Sequence, residues 1–447
     1  MLKQTQTFLR RNRANIAIGA GLLGSIYVGA NYVLGKLTDA KNRMATDRIA
    51  KENLRRRFEQ NQEDCSFTVL ALLPTATERI LELLPVEQLT HQLQEKKAAR
   101  LAKSGAPSEV SFSALSMKDD DGMSVRSLKS EPPPLQSSAG PKKTKAQLWN
   151  ELKITSITRA YTLIYTLALL CFLTRIQLNL LGRRNYLSSV ISLAERDTES
   201  PIALENNETN PQLSQEDYDV NRKYLTFSWW LLHRGWRKLL SVVEVSVKQV
   251  FGPLNPRDDI SMAQLRDLTM QIRKTVEGDA DFSWLPFLLP PAGDEDLVLR
   301  EAGVIPEHVS SSGVSVFGSS APLHRLLDET SDLIDSPPGR DVLNQLFEAG
   351  FAVLLEEKLA EQAFKVVVMP MPGVGQDGRV QEVVEVPPDA KTKVANVLAV
   401  VTRQAHLIGN GIPNEYLKAM EKQPDLTGFS AIIYSNFDMS KALPTME

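Results

Sequence analysis

The alternation of apolar and polar positions along the chain centres on one stretch, Lys145–Gly182, KAQLWNELKITSITRAYTLIYTLALLCFLTRIQLNLLG, with no Gly or Pro before its last residue. A run of that length predicts a helix of more than about 50 Å. Its first half is amphipathic. Leu148, Leu152, Thr155 and Arg159 recur at i, i+4, i+7 and i+11, and Lys145 and Trp149 lie one turn apart on a neighbouring stripe. The second half is apolar on nearly every face. Only fifteen uncharged residues separate Arg159 from Arg175, short of the about 20 that a bilayer span needs. The second half is therefore expected to be the buried helix of a bundle.

The N-terminus carries the other long apolar run. Behind the basic cluster Arg10, Arg11 and Arg13 comes Ala14–Leu34, twenty-one residues without a charge, the length of a spanning helix. Gly21, Ser25 and Gly29 place a small residue at every fourth position of it. A secretory signal peptide is the rival, because Val28-Gly29-Ala30 has the look of a cleavage site. The low cysteine count and the charged helix that follows favour an uncleaved anchor. From Lys36 to Gln60 the pattern is charged and helical, consistent with a solvated face near lipid headgroups. Its character changes at Asn61–Cys65. Ser66 is expected to cap a short helix stopped by Pro74, Thr75 to start a second that ends at Pro85, and Val86–Lys97 to form a third with Val86, Leu89 and Leu93 on one face.

Ala98–Lys143 is rich in Ser, Pro, Lys and Asp without an apolar period, the composition of disorder. After Gly182 a polar loop is expected over about 190–217. Tyr218–Phe251 then reads as a long helix, aromatic at its start with Tyr224, Phe227, Trp229, Trp230 and Trp236. Core packing explains that cluster; a second contact surface or an edge resting on a membrane is the alternative. Asp258 or Asp259 is expected to begin the next helix, Pro337-Pro338 another that runs to about Phe364, and Val394–Ile408 and Asn414–Glu421 two more. The expected class is all-α, an elongated helical bundle with a single N-terminal transmembrane helix. Residues 1–13 would form a basic targeting segment, 14–34 the anchor and 35–447 a cytosolic helical domain carrying the 98–143 insertion and loops at 190–217 and 365–390.

Composition narrows the picture modestly. With 447 residues, 43% of them hydrophobic, the chain can bury a sizeable core, and a net charge of −3 gives no global attraction to nucleic acid. Two cysteines, Cys65 and Cys171, make no disulfide framework, which favours the cytosol or a face exposed to it.

The segment RRRFEQNQEDCSFTVLALLPT (55–75), followed by LWNELKITSITR and TRIQLNLLG, resembles the peroxin-3 family of peroxisomal membrane proteins, and FLRRNR with the apolar run sits where that family carries its targeting element. The resemblance covers about residues 8–187 and continues weakly through the QAHLIG region at His406. It implies a single-pass protein of the peroxisomal membrane, in contact with its lipids, whose all-helical domain faces the cytosol. That domain would receive the import chaperone peroxin-19, an amphipathic helix of which docks in an apolar groove. On this basis Trp149 matches the family's groove tryptophan, Lys145 a basic residue and Leu93 a groove leucine. Leu148 and Leu152, from the amphipathic stripe, complete the expected partner-binding set. A further basic residue of the family falls on Asn396 here, with Lys391 and Lys393 near enough to substitute.

The logic of such a groove needs no name. A bound helix is held by apolar anchors, a receiving Trp offers large area at low entropic cost, and a lysine one turn away meets acidic residues on the ligand. The plain alternative is a half-buried bundle tryptophan beside a solvated lysine. A tether for inheritance or pexophagy adaptors is a second function of the same kind. An enzyme is the reading from another class, resting on Gly373-Val-Gly-Gln-Asp-Gly378. That G-x-G-x-x-G needs a following helix, whereas prolines precede it and the strand-like RVQEVVEVPP comes after, so a hairpin or mobile loop is expected. The five histidines, His91, His233, His308, His324 and His406, show no metal-ligand spacing, and no Walker loop occurs. A non-enzymatic binding protein without cofactor, metal or nucleic-acid partner is expected.

Overall fold

The computed structural model describes residues 48, 51–104, 143–198, 215–278, 282–305, 321–365 and 390–436. The expected anchor, Arg10, Arg11 and Arg13, most of the 98–143 insertion and the Gly373–Gly378 loop lie outside the described residues. The chain divides into two compact units, Met1–Asp64 and Cys65–Glu447. In the first, every described residue is helical, and the exposed Arg55 pairs with Glu59 one turn on at 2.8 Å.

Among its described residues, the regular structure of the second unit is helical apart from one two-stranded ribbon. Its first helical segment, α1 (65–83), holds Ser66 and Thr75 in its interior, so neither begins a helix, and it buries Val69, Leu73, Ala76 and Ile80, a face with i, i+4, i+7 and i+11 spacing. Pro74 does not stop it. The missing hydrogen bond of an internal proline costs about 3 kcal/mol, and burial of that face on both sides of Pro74 outweighs it. The break at Pro85 does occur, and α2 (Val86–Ser104) follows.

The spine, α3, runs over Lys145–Thr198, 54 residues, or about 80 Å. Gly182 therefore does not end it, and the expected loop at 190–217 is helical at both of its ends. The chain continues past Gly182 because the next two side chains are held. Arg183 donates to both carboxylate oxygens of Glu329, and Arg184 pairs with Asp217. Among the described residues α3 is the one helix apolar and long enough to cross a membrane, yet 94% of its most apolar window lies inside the protein. That is the core-helix outcome expected from the spacing of Arg159 and Arg175.

Around the spine pack α4 (Gln215–Thr226), α5 (Trp236–Phe251), α6 (Met262–Glu277), α7 (Ala321–Asp335), α8 (Pro337–Ala352, extended by a π-helical stretch Val353–Leu359), α9 (Val394–Asn410), α10 (Glu415–Glu421) and α11 (Pro424–Ser435). α4 and α5 are joined by Phe227, a short helix Ser228–Trp230 and a π turn Leu231–Gly235. Expected boundaries hold at α8, which Ser336 caps before Pro337, and at α10, which Asn414 caps. α7, α11 and two short helices, Leu285–Leu288 and Glu295–Glu301, were not foreseen. Nor do Asp258 and Asp259 begin α6. Ser261 caps it through a reciprocal capping box with Gln264. Asp259–Ser261 instead forms β1, antiparallel to β2 (Lys391–Lys393), with Ile260 opposite Thr392.

Three polar side chains on the spine are partnered by distant elements. Tyr161 Oη and Thr269 Oγ1 lie 2.7 Å apart, Tyr165 donates to Glu277 at 3.0 Å, and Lys153 Nζ donates to the carbonyls of Gly252 and Leu254 just past the end of α5. Tyr165 also meets Phe347 and Phe351 edge-on at 4.8 and 5.2 Å, with Trp284 at 6.2 Å.

Candidate functional site

The capping box that starts α3 was visible only as the tetrad Thr144-Lys145-Ala146-Gln147. Gln147 N–H donates to Thr144 Oγ1 at 3.2 Å, and Thr144 N–H donates to Gln147 Oε1 at 2.8 Å. This fixes the phase of the first turn. Leu148 and Leu152 then face α2, Trp149 points to the edge of the contact, and Lys145 lies exposed one turn earlier.

On α2, Val86, Leu89 and Leu93 recur at i, i+3 and i+7. With Leu148 and Leu152 they make a small apolar cluster separate from the main core, and Trp149 packs against it half-buried. The structure thus assembles Leu93, Leu148, Trp149 and Leu152 from helices that lie more than fifty positions apart in sequence. Within the cluster the roles differ. Leu148, Leu152 and Leu93 are 1%, 7% and 8% exposed and serve the helix pair itself, which leaves Trp149 as the apolar side chain still open to a partner. Polar contacts close the far end of the pair, where Lys143 bonds Glu151 at 2.6 Å and Lys96 donates to the carbonyl of Lys143.

Asn396 lies outside this cluster. It is exposed on α9, and its amide donates to Thr392 Oγ1 at 3.1 Å. Lys391 and Lys393 flank it on β2, both exposed, with Lys393 within 3.7 Å of Asp259.

A polar group that sequence reasoning missed pins the start of α2. Arg159, wholly buried on the spine, donates from Nη1 to both carboxylate oxygens of Glu87 at 2.9 Å and from Nη2 to the Thr402 carbonyl at 3.3 Å. His406 Nε2 lies 3.0 Å from Glu87 Oε1. Burial raises the Glu87 carboxyl, but its own backbone N–H, His406 and Arg159 together outweigh that and hold it below the usual range. Burial likewise lowers Arg159, with Glu87 opposing. A lone arginine at the junction of the amphipathic and apolar halves was the sequence signal, since a cation buried there needs a carboxylate.

The arrangement is a two-helix seam with an indole at its lip, a lysine above it and an ion-paired latch below it. No nucleophile and base converge there, and among the described residues no three His, Cys, Asp or Glu side chains gather to hold a metal ion.

The sequence model of the family described as Peroxin-3 matches residues 7–436. The chain belongs to the peroxin-3 family. It is 34% identical to peroxisomal biogenesis factor 3 of Yarrowia lipolytica, over 96% of this chain and 99% of that protein. It is 31% identical to peroxisomal membrane protein PEX3 of Komagataella phaffii, over 98% and 100%, and 24% identical to human peroxisomal biogenesis factor 3, over 99% and 100%. As a peroxin-3 family member it is a peroxisome biogenesis factor, and these relatives are named for biogenesis or for the membrane rather than for a reaction.

Proposed function

We propose that this protein is a docking receptor for the peroxin-19 chaperone, held in the peroxisomal membrane by Ala14–Leu34 with its helical domain in the cytosol. The observation that carries the reading is the separate apolar cluster of α2 and α3, with half-buried Trp149 at its lip and exposed Lys145 one turn away. An amphipathic chaperone helix would lay an apolar side chain against the indole, and Lys145 would meet an acidic residue of that helix and set its direction. Leu93, Leu148 and Leu152 would support the indole from below. No bond is made or broken in this scheme. The membrane tether confines delivery of newly made membrane proteins to the correct organelle, and differential binding does the rest.

Trp149→Ala is expected to weaken chaperone binding by about 2 kcal/mol or more, roughly thirtyfold in Kd, while the circular dichroism spectrum and Tm stay near wild type. Titration calorimetry with the chaperone measures this. Unchanged affinity in a folded variant overturns the reading.

A further inference from the structure

The latch below Trp149 joins α2 to α9 as well as to the spine. On α3, Trp149, Lys153 and Ser156 recur at i, i+4 and i+7 and so share a flank. α9 lies along that flank. Thr402 Oγ1 donates to Ser156 Oγ at 3.2 Å. At the head of α9 the N–H groups of Val394 and Ala395 donate to the carbonyls of Asp258 and Pro256, on the loop whose start Lys153 reaches. α9 therefore runs in the same direction as the spine, with its first turns nearest Trp149. Ala395, Ala399, Thr402 and His406 recur at i, i+4, i+7 and i+11, so the side of α9 that meets the spine at Thr402 ends in His406.

α2 makes the other wall. Its apolar stripe faces Leu148 and Leu152, while Glu87, beside that stripe, reaches across to α9. His406 Nε2 lies 3.0 Å from Glu87 Oε1, and because a carboxylate only accepts, Nε2 carries the hydrogen. Arg159 closes the group from beneath, bonded at once to Glu87 and to the Thr402 carbonyl of α9. At its far end α2 leans the other way. Lys96 donates to the carbonyl of Lys143, whose own side chain pairs with Glu151, about 160° round the spine from Trp149. The two walls thus meet at Glu87 and His406 and diverge toward Trp149. They enclose a wedge-shaped slot about 15 Å long, the rise of α3 between Arg159 and Trp149, with the indole in its mouth.

Apolar contact alone sets the angle of such a wall poorly. Val86, Leu89 and Leu93 span about 60° of the circumference of α2, against about 100° or more for an ordinary core-facing helix. Contact between leucines is also non-directional. The polar group is directional, and its cation is fixed. Arg159 is wholly buried on the spine and cannot follow a moving α2, so the carboxylate has to come to it.

We propose that Glu87 and His406 are positioning residues of the docking site: their contact fixes the angle between α2 and α9, and with it the width of the slot at Trp149. This rests on the docking reading, in which an amphipathic helix enters at Trp149. Neither residue has to touch that helix. With the contact made, the free protein already holds the slot at its bound width, and docking is spared the cost of ordering α2. Without it α2 swings, the slot stands at its bound width for only a fraction of the time, and the apparent affinity falls by that fraction.

The test uses the full chain in lipid nanodiscs, spin-labelled at Gln92→Cys on α2 and Arg403→Cys on α9, both exposed; the native Cys65 and Cys171 are buried. Pulsed electron resonance reads the spread of distances between the labels. His406→Leu removes the tie to α9 from an exposed position and leaves the Glu87–Arg159 pair in place. It is expected to broaden the spread and to weaken binding of the peroxin-19 chaperone about fivefold. His406→Gln presents an amide donor where Nε2 stood, and should keep the narrow spread and an affinity within about twofold of wild type. Saturating chaperone should narrow the His406→Leu spread again. An unchanged spread in His406→Leu overturns the proposal, and so does a broadened spread with unaltered affinity. Equal loss of affinity in His406→Gln and His406→Leu also overturns it. Glu87→Gln loosens the same contact from the α2 side and carries the comparison if His406→Leu fails to fold. Unchanged affinity in Trp149→Ala overturns the docking reading instead, and the label distances, which do not involve Trp149, judge the latch separately.

Discussion

At the scale of single residues, Arg159 carries the most informative chemistry. Its guanidinium is buried while the carboxylate it holds, Glu87, is 55% exposed, so the pair is asymmetric. Removing Glu87 strands a buried cation; removing Arg159 frees a carboxylate that water can reach. Arg159→Met is therefore expected to cost less stability than Glu87→Gln, compared as urea unfolding free energies at neutral pH. The pair also sets a pH dependence. The folded Glu87 carboxyl lies below its ordinary 4.5, so between the two values the unfolded chain binds more protons, and acid favours unfolding. The contribution is fully present above about pH 4.5 and is lost as pH falls through the lower folded value. Unfolding curves from about pH 6 to about pH 3 should fall more steeply for wild type than for Glu87→Gln, and parallel curves would refute the assignment. The sequence showed Arg159 as an oddity in an apolar run but not its partner. Glu87 lies seventy-two positions away, and no local rule connects them. Trp149, Lys145 and Leu93 were legible because they sit on short periodic faces, and for their roles only by resemblance.

At the scale of elements, packing decided what propensity had left open. Pro74 and Gly182 are conventional stop signals, yet both lie inside helices, one overridden by a continuous apolar face and the other by paired arginines immediately downstream. Boundaries set by capping chemistry were readable, as at Ser336 and Asn414. The start of α6 was misplaced because two aspartates compete with Ser261 as caps in the sequence, and β2, which claims Asp259, lies some 130 positions away. Two glycines test close packing between elements. A Cβ at Gly235 would lie 1.9 Å from the Phe287 carbonyl oxygen, a backbone atom with nowhere to retreat. A Cβ at Gly409 would meet the side chain of Thr77, on α1, at 2.2 Å. Both Gly→Ala changes should destabilise by about 1 to 3 kcal/mol. Thermal unfolding should then show Gly409→Ala partly restored by Thr77→Ala, while no side-chain truncation at Phe287 rescues Gly235→Ala. Full additivity of the Thr77 and Gly409 substitutions would contradict the contact.

At the scale of the whole molecule, the all-α class and the spine followed from the length and apolarity of one run, whereas the helices arranged around it did not follow, because their order in space depends on distant partners. The division of apolar side chains into a main core and a smaller cluster predicts uneven local stability. Amides of α2 beyond Glu87 should exchange with solvent much faster than those of α3 between Ala160 and Ile176, since only the smaller cluster holds them. Mass spectrometry of deuterium uptake measures the difference, and equal protection would show that the two clusters open together.

The position of the spine in the chain also has a consequence in time. Part of its cover in the finished protein comes from α9 and α11, which begin at Val394 and Pro424, about two hundred residues after the spine itself is complete. At a synthesis rate of about 5 to 20 residues per second, a newly made chain leaves this helix partly exposed for roughly ten to forty seconds before its cover is complete. During that interval it has the length and greasiness of a membrane span. The new chain thus carries a long apolar segment open to a membrane-insertion machine, and arrival of the last hundred residues is what withdraws it.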